Sequence, residues 1–493
     1  MNATTDTAIG AALAEMAATN PDRPILTTSA GTLTRSEFER RTNRLARAFI
    51  ERGVTRDSFV TILLPTGSAF LEAVVAVWKA GATPQPVSDR LPARELREII
   101  ELADPTLIVG ASDLDRNSVP ANWTPPDDVS CEPLPAMIAT SLKAPTSGGS
   151  TGRPKLIVST ERATAESLRT FGNLLRIPQD GTLLSTGPLS HNGPLFTAAA
   201  GLLLGCHVVV MERFDAERAL ALIDQHDVTW MYSVPTMLRR IADLPESLRS
   251  GADISSLRTL VTMAARCPAA LRTFCLDYFG PDVMLELYAA TEAQAATMTD
   301  GHGWIEHPGS VGRVVVGEIE VRGPDGSPRP VGEIGELWMR RGPGVAGPYR
   351  YIGADPQQSA GGWETVGDLG FMDADGFVYL ADRKTDMLLV GGSNVYPAEV
   401  EGALEEHPDV QAACVVGMPD DEYGNRVHAV LNVTGPVTDG ELVQHLREAI
   451  APYKVPRSFD RISTPLRDEA GKMRRSRVRD EASARATQRR EAE

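Results

Sequence analysis

The densest group of residues able to do chemistry is a ten-residue segment that combines glycines, hydroxyl side chains and one lysine. Its candidate ligand-binding members are Thr146, Ser147, Gly148, Gly149, Ser150, Thr151, Gly152 and Lys155. Glycines let a backbone bend sharply towards a ligand, and successive N–H groups in such a bend suit an anion. The segment therefore predicts a phosphate-binding loop, although it lacks the Gly-Lys-Ser/Thr ending of the common P-loop. The alternative is a flexible Ser/Gly linker, which the Pro-Lys and the apolar run after it disfavour.

Two downstream segments carry carboxylates suited to a nucleotide and its metal. In Tyr288-Ala-Ala-Thr-Glu292, which follows a predicted strand, the threonine can donate to a phosphate and the glutamate can ligate Mg²⁺. The alternative there is a Thr-Glu cap at the start of a helix. In Gly367-Asp368, a fixed carboxylate can accept hydrogen bonds from two ribose hydroxyls, and the alternative is an ordinary turn aspartate.

Three segments nearer the C-terminus complete the set of candidate motifs. The charge-dense run Asp382-Arg383-Lys384-Thr385-Asp386 follows a strand, and its alternative is a solvated inter-domain connection. Gly391 and Gly392 form a paired-glycine turn before a helix start and can let a thin pantetheine arm pass, unless they are an ordinary turn. Lys472 lies in a late loop, where a lysine is usually just solvated.

Charge and cysteine usage exclude several classes of function. The 493-residue chain has a net charge of −16, which disfavours nucleic acid and anionic membranes as partners. Its five cysteines are scattered and lack a CxxC pair, which is typical of reduced thiols rather than of disulfides or a zinc site. Neither a signal peptide nor a membrane-spanning run is recognisable, so we expect a cytoplasmic protein. The basic tail from Lys472 to Arg490 is interleaved with acids and predicts a solvated helix or a frayed terminus.

The hydrophobic pattern divides the chain into three regions. Up to about residue 310, short apolar strands alternate with amphipathic helices such as 216–225 and 269–279, which predicts parallel sheets covered on both faces. From there to about residue 385, short strands between Gly/Pro/Asp turns predict a small antiparallel barrel or sandwich. The remainder predicts a separate α+β domain of roughly a hundred residues.

Taken in this order, the motifs resemble the adenylate-forming superfamily of acyl-CoA synthetases, peptide-synthetase adenylation domains and luciferases, with acid–CoA ligases closest. The resemblance spans the chain from Leu33 to Arg475. It implies an α/β fold whose large N-terminal domain, residues 1–384, comprises two βα-type subdomains and a distorted β-barrel. It also implies a small mobile α+β C-terminal domain, residues 385–493, with a hinge near Thr385.

The resemblance implies a two-step reaction. An acid attacks the α-phosphate of MgATP to give an acyl-adenylate and pyrophosphate, and a thiol, usually that of coenzyme A, then displaces AMP. The implied cofactors and partners are therefore ATP, Mg²⁺, coenzyme A and a small-molecule acid. The superfamily also commonly forms homodimers.

The resemblance assigns the nucleotide-binding roles motif by motif. The segment from Ser147 to Lys155 would hold the β- and γ-phosphates, with Thr151 and Glu292 at the magnesium ion. Thr291 would contact the α-phosphate. The adenine and ribose would be bound by Tyr288, Ala264, Ala265, Asp368 and Arg383, with the tyrosine stacked on the base. Lys472 would bridge the attacking acid oxygen and the α-phosphate, where its charge would stabilise the pentacovalent phosphorus.

The implied acid channel begins at Leu189-Ser-His-Asn-Gly-Pro194, so that His191, Asn192 and Gly193 border it. The alternative for His191 is a packing role. Met263 and Ala289 stand where the superfamily has glycines, and Arg266 stands where proline is common. Because side chains at the first two positions remove volume from the pocket, we expect a small or flat acid. An aspartate for an α-amino group is missing at the start of this segment, which disfavours amino acids. Thr385 replaces the usual charged hinge residue.

Three functional hypotheses follow. The first is an ATP-dependent acid–CoA ligase for a small or aromatic carboxylic acid. The second is an adenylating enzyme of the same fold that acts without coenzyme A on another acid, for example nitrite for the diazotisation of an aryl amine. The third is a non-catalytic nucleotide-binding homologue, which the joint presence of Thr151, Glu292, Asp368, Arg383 and Lys472 disfavours.

Overall fold

A computed structural model of the protein describes residues 6–111, 116–148, 154–390, 393–420, 424–469 and 471–492. The helices of the first 310 residues are α1 (Ile9–Thr19), α2 (Arg35–Glu51), α3 (Ser68–Lys79), α4 (Ala93–Ala103), α5 (Ala165–Leu174), α6 (Asn192–Leu203), α7 (Ala216–Gln225), α8 (Pro235–Ala242), α9 (Glu246–Gly251), α10 (Ala269–Phe279) and α11 (Gly301–Glu306). The strands of the same region are β1 (Pro24–Thr28), β2 (Gly31–Thr34), β3 (Phe59–Ile62), β4 (Thr83–Pro86), β5 (Leu107–Val109), β6 (Ser118–Val119), β7 (Thr146–Gly148), β8 (Pro154–Ser159), β9 (Thr182–Ser185), β10 (His207–Val210), β11 (Trp230–Ser233), β12 (Thr259–Thr262), β13 (Met284–Ala289) and β14 (Ala296–Asp300).

A nine-stranded sheet with the order β15-β14-β13-β12-β11-β9-β10-β1-β2 forms the main scaffold, where β15 is Arg313–Val316. Its central strands are parallel, and β2, β14 and β15 run antiparallel to their neighbours. Strands β11 and β12 are buried along their whole length, as expected for a parallel sheet covered by helices on both faces. The predicted parallel sheet is therefore confirmed in its centre, and its edges are antiparallel.

Two smaller sheets flank this scaffold. One is parallel, with the order β4-β3-β5-β6. The other pairs β7 and β8, on either side of the predicted phosphate loop, with β18 (Tyr349–Ile352) from much later in the chain. This second pairing brings residues around 350 to the loop that is expected to bind phosphate.

Residues after 316 form a six-stranded antiparallel sheet. Its members are β16 (Glu318–Arg322), β17 (Gly335–Arg340), β19 (Gln357–Ser359), β20 (Trp363–Thr365), β21 (Asp368–Met372) and β22 (Val378–Arg383). The strands follow the path β19-β20-β17-β21-β22, and β16 pairs with β17. Within the described strands this path is open, so the predicted distorted barrel is not confirmed.

The C-terminal region has its own cores. Its elements are β23 (Leu388–Val390), β24 (Ser393–Val395), α12 (Pro397–Glu405), β25 (Val410–Asp420), β26 (Gly424–Val433), α13 (Asp439–Ala449), β27 (Ser458–Arg461) and α14 (Arg475–Ala492), with a 3₁₀ turn at Pro452–Lys454. Two hydrophobic clusters bury only residues from this region, one beneath α12 and α13 and one beneath α14. The predicted α/β fold with a large N-terminal domain and a separate C-terminal domain is thereby confirmed.

Local sequence signals explain several element boundaries. Thr34 caps α2 with a reciprocal capping box, in which its hydroxyl accepts from the Glu37 amide and the Glu37 carboxylate accepts from the Thr34 amide. Proline opens both α8 and α12, where its missing N–H has no cost. In the chain, α8 follows β11, and α12 follows the charged 382–386 segment.

The basic tail is part of the fold rather than a frayed terminus. Val478 and Ala482 on α14 are buried against β25 and β26. Arg475 donates to the Val415 carbonyl at 2.7 Å and pairs with Glu401 and Asp386. The prediction of a helix in the tail is thus confirmed by α14. The alternative of a frayed terminus is wrong for the described residues of this helix.

Two simpler expectations have clear outcomes. All five cysteines are free thiols, and burial raises the pKa of Cys206 to about 11. None of the helices in the described ranges combines the length and apolarity needed to cross a bilayer.

Candidate active site

The predicted site residues of the N-terminal domain gather at the carboxyl ends of the central parallel strands. His191, Asn192 and Gly193 begin α6 after β9, while Ala264 and Ala265 follow β12. Tyr288 and Ala289 end β13. Ligands of open α/β sheets bind at this edge, because the connections there diverge and leave a crevice. The backbone topology alone therefore explains why motifs about a hundred residues apart in sequence meet.

Thr291 and Glu292 do not cap a helix. They lie in the connection of the β13–β14 hairpin, where Ala293 has a φ of 57° and reverses the chain. The helix-cap alternative is wrong because the chain turns back along the sheet at this point. The turn buries the Glu292 side chain to 6% exposure and leaves Thr291 partly exposed.

Glu292 and Lys155 form the charged centre of the cleft. The Lys155 ammonium is 3.5 Å from the Glu292 carboxylate, and the Tyr351 hydroxyl donates to the same carboxylate at 2.6 Å. The ammonium also lies 3.9 Å from the centre of the Tyr351 ring. Tyr351 belongs to β18, which pairs with β8, and so the strand pairing itself brings the three groups together. Sequence reasoning missed Tyr351, since a long-range strand pairing leaves no local signal.

Asp368 is the centre of a second cluster. The Tyr288 hydroxyl donates to one of its carboxylate oxygens at 2.6 Å, and Arg383 donates to the other at 3.2 Å. Asp368 and Arg383 are opposite each other in the β21–β22 register, which holds the pair in place. Burial, reinforced by the Asp368 charge, raises the pKa of Tyr288 well above its usual value. Three of the five residues assigned to adenosine therefore lie in direct contact.

Lys472 reaches this cleft from the C-terminal domain. It lies in a tight turn, in which its amide donates to the Asp468 carboxylate at 2.9 Å and its carbonyl accepts from the Asp468 amide at 2.9 Å. Gly471 has a φ of 76°, and a methyl group there would meet the Val234 side chain at 3.4 Å. Desolvation lowers the pKa of Lys472, and the nearby charges of Arg383 and Glu292 act on it in opposite directions.

Polar contacts between the two domains hold this turn against the N-terminal domain. Glu469 pairs with Arg90 at 2.7 Å, and Arg474 pairs with Glu95 at 3.5 Å. Arg266 donates to the Ala398 carbonyl at 3.0 Å, and its guanidinium packs where a Gly402 side chain would otherwise lie. Arg266, which stands where the superfamily commonly has proline, therefore contacts the C-terminal domain.

His191 is the N-cap residue of α6 but makes no side-chain cap hydrogen bond. Burial lowers the pKa of His191 to about 4, and the positive charge of Lys472 acts in the same direction. The imidazole is consequently neutral at ordinary pH. The charge of the predicted catalytic lysine thus acts on the predicted channel residue.

We expect a His191→Gln variant to lose part of the acid sensitivity of the fold. Between pH 6.5 and about 4, the unfolded chain binds a proton at this histidine and the folded chain does not, so stability falls as the pH falls through that window. Thermal melts at several pH values should therefore show a flatter dependence for the variant. His302→Gln is a matched control with the opposite sign, because a hydrogen bond to Asp282 raises the pKa of His302. An unchanged slope in His191→Gln would contradict the buried, neutral histidine.

Gly193, at the start of α6, packs closely against Met263 and Tyr232. A side chain at Gly193 would lie 3.0 Å from the Met263 sulfur and 3.2 Å from the Tyr232 ring. Met263 and Tyr232 are both buried, at 8% and 2% exposure. Ala289, in contrast, is exposed at the end of β13. Tyr232 was not predicted from the sequence, because it reads as an ordinary buried strand residue.

Part of the predicted site lies outside the described residues. This holds for Gly149, Ser150, Thr151 and Gly152 of the phosphate loop and for Gly391 and Gly392. The backbone at the loop's two ends is described: Thr146 pairs with Leu156, Ser147 with Lys155 and Gly148 with Pro154. These pairings place the two ends of the loop next to each other.

Comparison with known proteins agrees with this geometry. Residues 13–350 match the AMP-binding enzyme family, and residues 399–472 match the AMP-binding enzyme C-terminal domain. A feruloyl-CoA synthase from an Amycolatopsis species is 33% identical over 475 residues, covering 91% of this chain and 93% of that protein.

Solved structures show the same similarity. The o-succinylbenzoate CoA synthetase of Bacillus subtilis, in complex with its acyl-adenylate, has a TM-score of 0.82 at 25% identity over 95% of this chain and 97% of that one. The same enzyme has also been solved with ATP and a magnesium ion. An amide bond synthetase from Marinactinospora thermotolerans has a TM-score of 0.81 at 26% identity, covering 96% of this chain and 99% of that one. The predicted use of ATP, Mg²⁺ and coenzyme A is confirmed at the level of the family. This chain therefore belongs to the AMP-binding enzyme family and is an AMP-forming ligase.

Proposed function

We propose that the protein activates a small or aromatic carboxylic acid as its acyl-adenylate and then transfers the acyl group to coenzyme A. The observation that carries this proposal is the position of Lys472, whose loop docks on the N-terminal domain through the Glu469–Arg90 ion pair and through Gly471 against Val234. There its pKa responds to the charges of Glu292 and Arg383. A lysine delivered between the acid channel and the phosphate side of a cleft is suited to the adenylation step.

The residues present fit a magnesium-bound triphosphate. Glu292 is a buried carboxylate whose partners are an ammonium and a hydroxyl, and both can turn to phosphate oxygens once a cation takes the carboxylate. We assign Glu292, with Thr151, to the magnesium ion, which would neutralise phosphate oxygens. Thr291 and Lys155 would donate to the phosphates, with the hairpin loop from Thr146 to Lys155 around them.

The adenosine assignment follows from the cluster around Asp368. Its carboxylate, held by Tyr288 and Arg383, would accept from the ribose hydroxyls. The Tyr288 ring would then be held in one orientation to stack on the base, with Ala264 and Ala265 on the opposite side. Ala264 has a φ of 72°, a strained conformation for a non-glycine residue, of the kind that often occurs at binding sites.

In the first half-reaction, a carboxylate oxygen of the acid forms a bond to the α-phosphorus, and the bond to the bridging oxygen of pyrophosphate breaks. Negative charge accumulates on the equatorial oxygens of the phosphorus as this happens. The Lys472 ammonium would stabilise that charge, while the pyrophosphate leaves with the bonding electron pair. In the second, the thiol attacks the acyl carbon and AMP leaves.

The size of the acid is inferred from the pocket wall. Met263 and Tyr232 together occupy the space in front of Gly193, and there is thus little room for a long chain at that point. A small or planar acid fits this constraint. The 33% identity to a feruloyl-CoA synthase supports an aromatic acid as one member of that class.

Domain alternation is part of the proposal. We place the boundary of the mobile domain at Thr385, in the turn after β22, so that residues 385–493 move relative to residues 1–384. The contacts of Arg90, Arg266 and Glu95 with the C-terminal domain would belong to the adenylation state and would break for thioester formation.

Product analysis with the purified protein tests the proposal. We expect acid-dependent pyrophosphate release from MgATP with a panel of small and aromatic acids, and an acyl-CoA product when coenzyme A is added. Pyrophosphate and AMP without a thioester would instead favour the adenylating enzyme that acts without coenzyme A. If none of the acids supports pyrophosphate release, the proposed function is wrong.

A further inference from the structure

Lys143 is a cation that the reaction described above leaves unused. It lies in an extended segment in which Leu142 and Ala144 point into the hydrophobic cores at 4% and 0% exposure. Because side chains alternate along an extended chain, Lys143 points the other way, towards α6. Its carbonyl accepts from the Ser159 amide at 2.9 Å, so strand-like pairing fixes its backbone.

The Lys143 ammonium lies at the start of α6. It donates to the Asn192 side-chain oxygen at 2.5 Å and is 4.5 Å from the centre of the Phe196 ring. Burial lowers the pKa of Lys143 to about 8, which leaves the ammonium form in the majority at neutral pH. Among the described residues, no carboxylate oxygen lies within 4.0 Å of it.

The carboxylates whose charges act on Lys143, Glu161 and Glu292, are each paired with another cation. Glu161 pairs with Arg341 at 2.8 Å, and Glu292 pairs with Lys155. Among the described residues, Lys143 therefore has no ion-pair partner of its own. A partly buried cation without a carboxylate in contact is unfavourable for a fold, and such groups are candidates for sites where a ligand supplies the opposite charge.

Asn192 adds donors next to this cation. Its side-chain oxygen is used by Lys143, so its NH₂ group faces away from the ammonium. Within the described part of the chain, no acceptor is hydrogen-bonded to that NH₂ group. The first turn of α6 also contains no acidic residue. Apart from their mutual hydrogen bond, the side-chain donors of Lys143 and Asn192 thus have no hydrogen-bond acceptor among the described residues.

We propose that Lys143 and Asn192 bind a second anionic group of the acid substrate, so that the enzyme prefers small acids that carry an additional carboxylate or sulfonate. This inference rests on the proposed function and specifies its substrate class. The acid side is favoured over the phosphate chain because Asn192 is adjacent to Gly193, which packs against Met263 and Tyr232. On the phosphate side, Lys155 already faces Glu292.

The test compares the wild-type enzyme with Lys143→Met, which keeps the length of the side chain and removes its charge. Matched pairs of acids are assayed by ATP–pyrophosphate exchange: benzoate with isophthalate, and butanoate with succinate. We expect wild-type kcat/KM to favour the diacid of at least one pair by about 10- to 100-fold, as for a charge-assisted hydrogen bond. Lys143→Met should lose this preference and keep its activity towards the monoacid. Arg116→Met, which removes a cation from an exposed pair with Asp104, should behave like the wild type.

Two further readouts separate the alternatives. If Lys143→Met raises the KM for ATP equally with both members of a pair, the lysine serves the phosphate chain and the inference is wrong. If the variant melts several degrees lower, the lysine is structural, because loss of a partly buried charge that has no carboxylate partner should leave the melting temperature unchanged or raise it. Equal wild-type activity towards monoacids and diacids would also overturn the inference but not the proposed function.

If no acid supports ATP–pyrophosphate exchange, the binding of acids, measured as a shift in melting temperature, tests the inference. Isophthalate or succinate should then raise the melting temperature of the wild-type protein more than the matched monoacid does, and should not do so for Lys143→Met. Equal shifts in both proteins would overturn the second-anion site, while the absence of exchange would separately overturn the proposed function.

Discussion

Replacing Lys472 with alanine should lower the rate of adenylate formation by on the order of 10²–10³-fold, the range found when one preorganised stabiliser of transition-state charge is removed. The same variant should form the thioester from a supplied acyl-adenylate and coenzyme A at a rate close to that of the wild type. The first half-reaction is read from ATP–pyrophosphate exchange and the second from acyl-CoA formation.

The separation of the two effects follows from how Lys472 reaches the site. Its side chain belongs to a turn of the C-terminal domain that docks through Glu469 on Arg90 and through Gly471 on Val234. These contacts can exist only while the domains have their present arrangement. If the C-terminal domain rotates for thioester formation, Lys472 leaves the cleft, and its loss cannot affect that step.

A control variant excludes a general effect on the C-terminal domain. Arg479→Ala removes a cation from the exposed face of α14, where the arginine forms an ion pair with the neighbouring Asp480. The Arg479→Ala variant should leave the rates of both half-reactions unchanged. Equal losses in both half-reactions of Lys472→Ala would contradict the assignment, because the lysine would then act on the fold or on both steps.

Local patterns determined the elements of the fold and the segments of the site, but not the contacts between them. The helices at 216–225 and 269–279 were predicted to the residue because each has a strong periodic pattern between clear boundaries. The Thr291–Glu292 turn was open to a wrong alternative, since a Thr-Glu pair is equally typical of a helix cap. Only the hairpin partner β14 decides between the two, and pairing partners are set by tertiary packing.

The residues that sequence reasoning missed share one property. Tyr351, Tyr232 and Lys143 contact predicted site residues because distant segments pair or pack there. Tyr351 is 59 positions from Glu292, and Lys143 is 49 positions from Asn192. Their residue types are common in strands and loops, so a single sequence contains no signal that separates them from ordinary packing residues. The sequence also did not predict that the six-stranded sheet is open rather than a barrel. Closure of a barrel depends on the register between distant strands, which leaves no local signal.

Replacing Glu292 with glutamine should lower adenylate formation by about 100-fold or more, as for the loss of an electrostatic contact made in the transition state. The change keeps the shape of the side chain and removes one negative charge from a buried position next to Lys155. A carboxylate is a much better magnesium ligand than an amide oxygen, so the variant should require a higher magnesium concentration for half-maximal activity. Measuring pyrophosphate exchange over a range of magnesium concentrations tests this expectation.

Tyr351→Phe is the matched variant for the same carboxylate. It removes the hydroxyl that donates to Glu292 at 2.6 Å and leaves the charge and the ring over Lys155 in place. Loss of one hydrogen bond to a charged group, worth about 1.5–3 kcal/mol, should lower exchange by about 10- to 100-fold. The surface variant Glu318→Gln, which breaks an ion pair with Arg340, should have no effect.

The magnesium dependence distinguishes Glu292 from Lys472. With Glu292 as the proposed magnesium ligand, the glutamine weakens the metal site, and additional magnesium should restore part of the activity of Glu292→Gln by mass action. Lys472→Ala has lost a charge that the metal does not replace, and its activity should stay low at every magnesium concentration. A Glu292→Gln enzyme with the magnesium dependence of the wild type would show that the carboxylate only positions Lys155 through their 3.5 Å contact, and the ion would then have to be assigned to other residues.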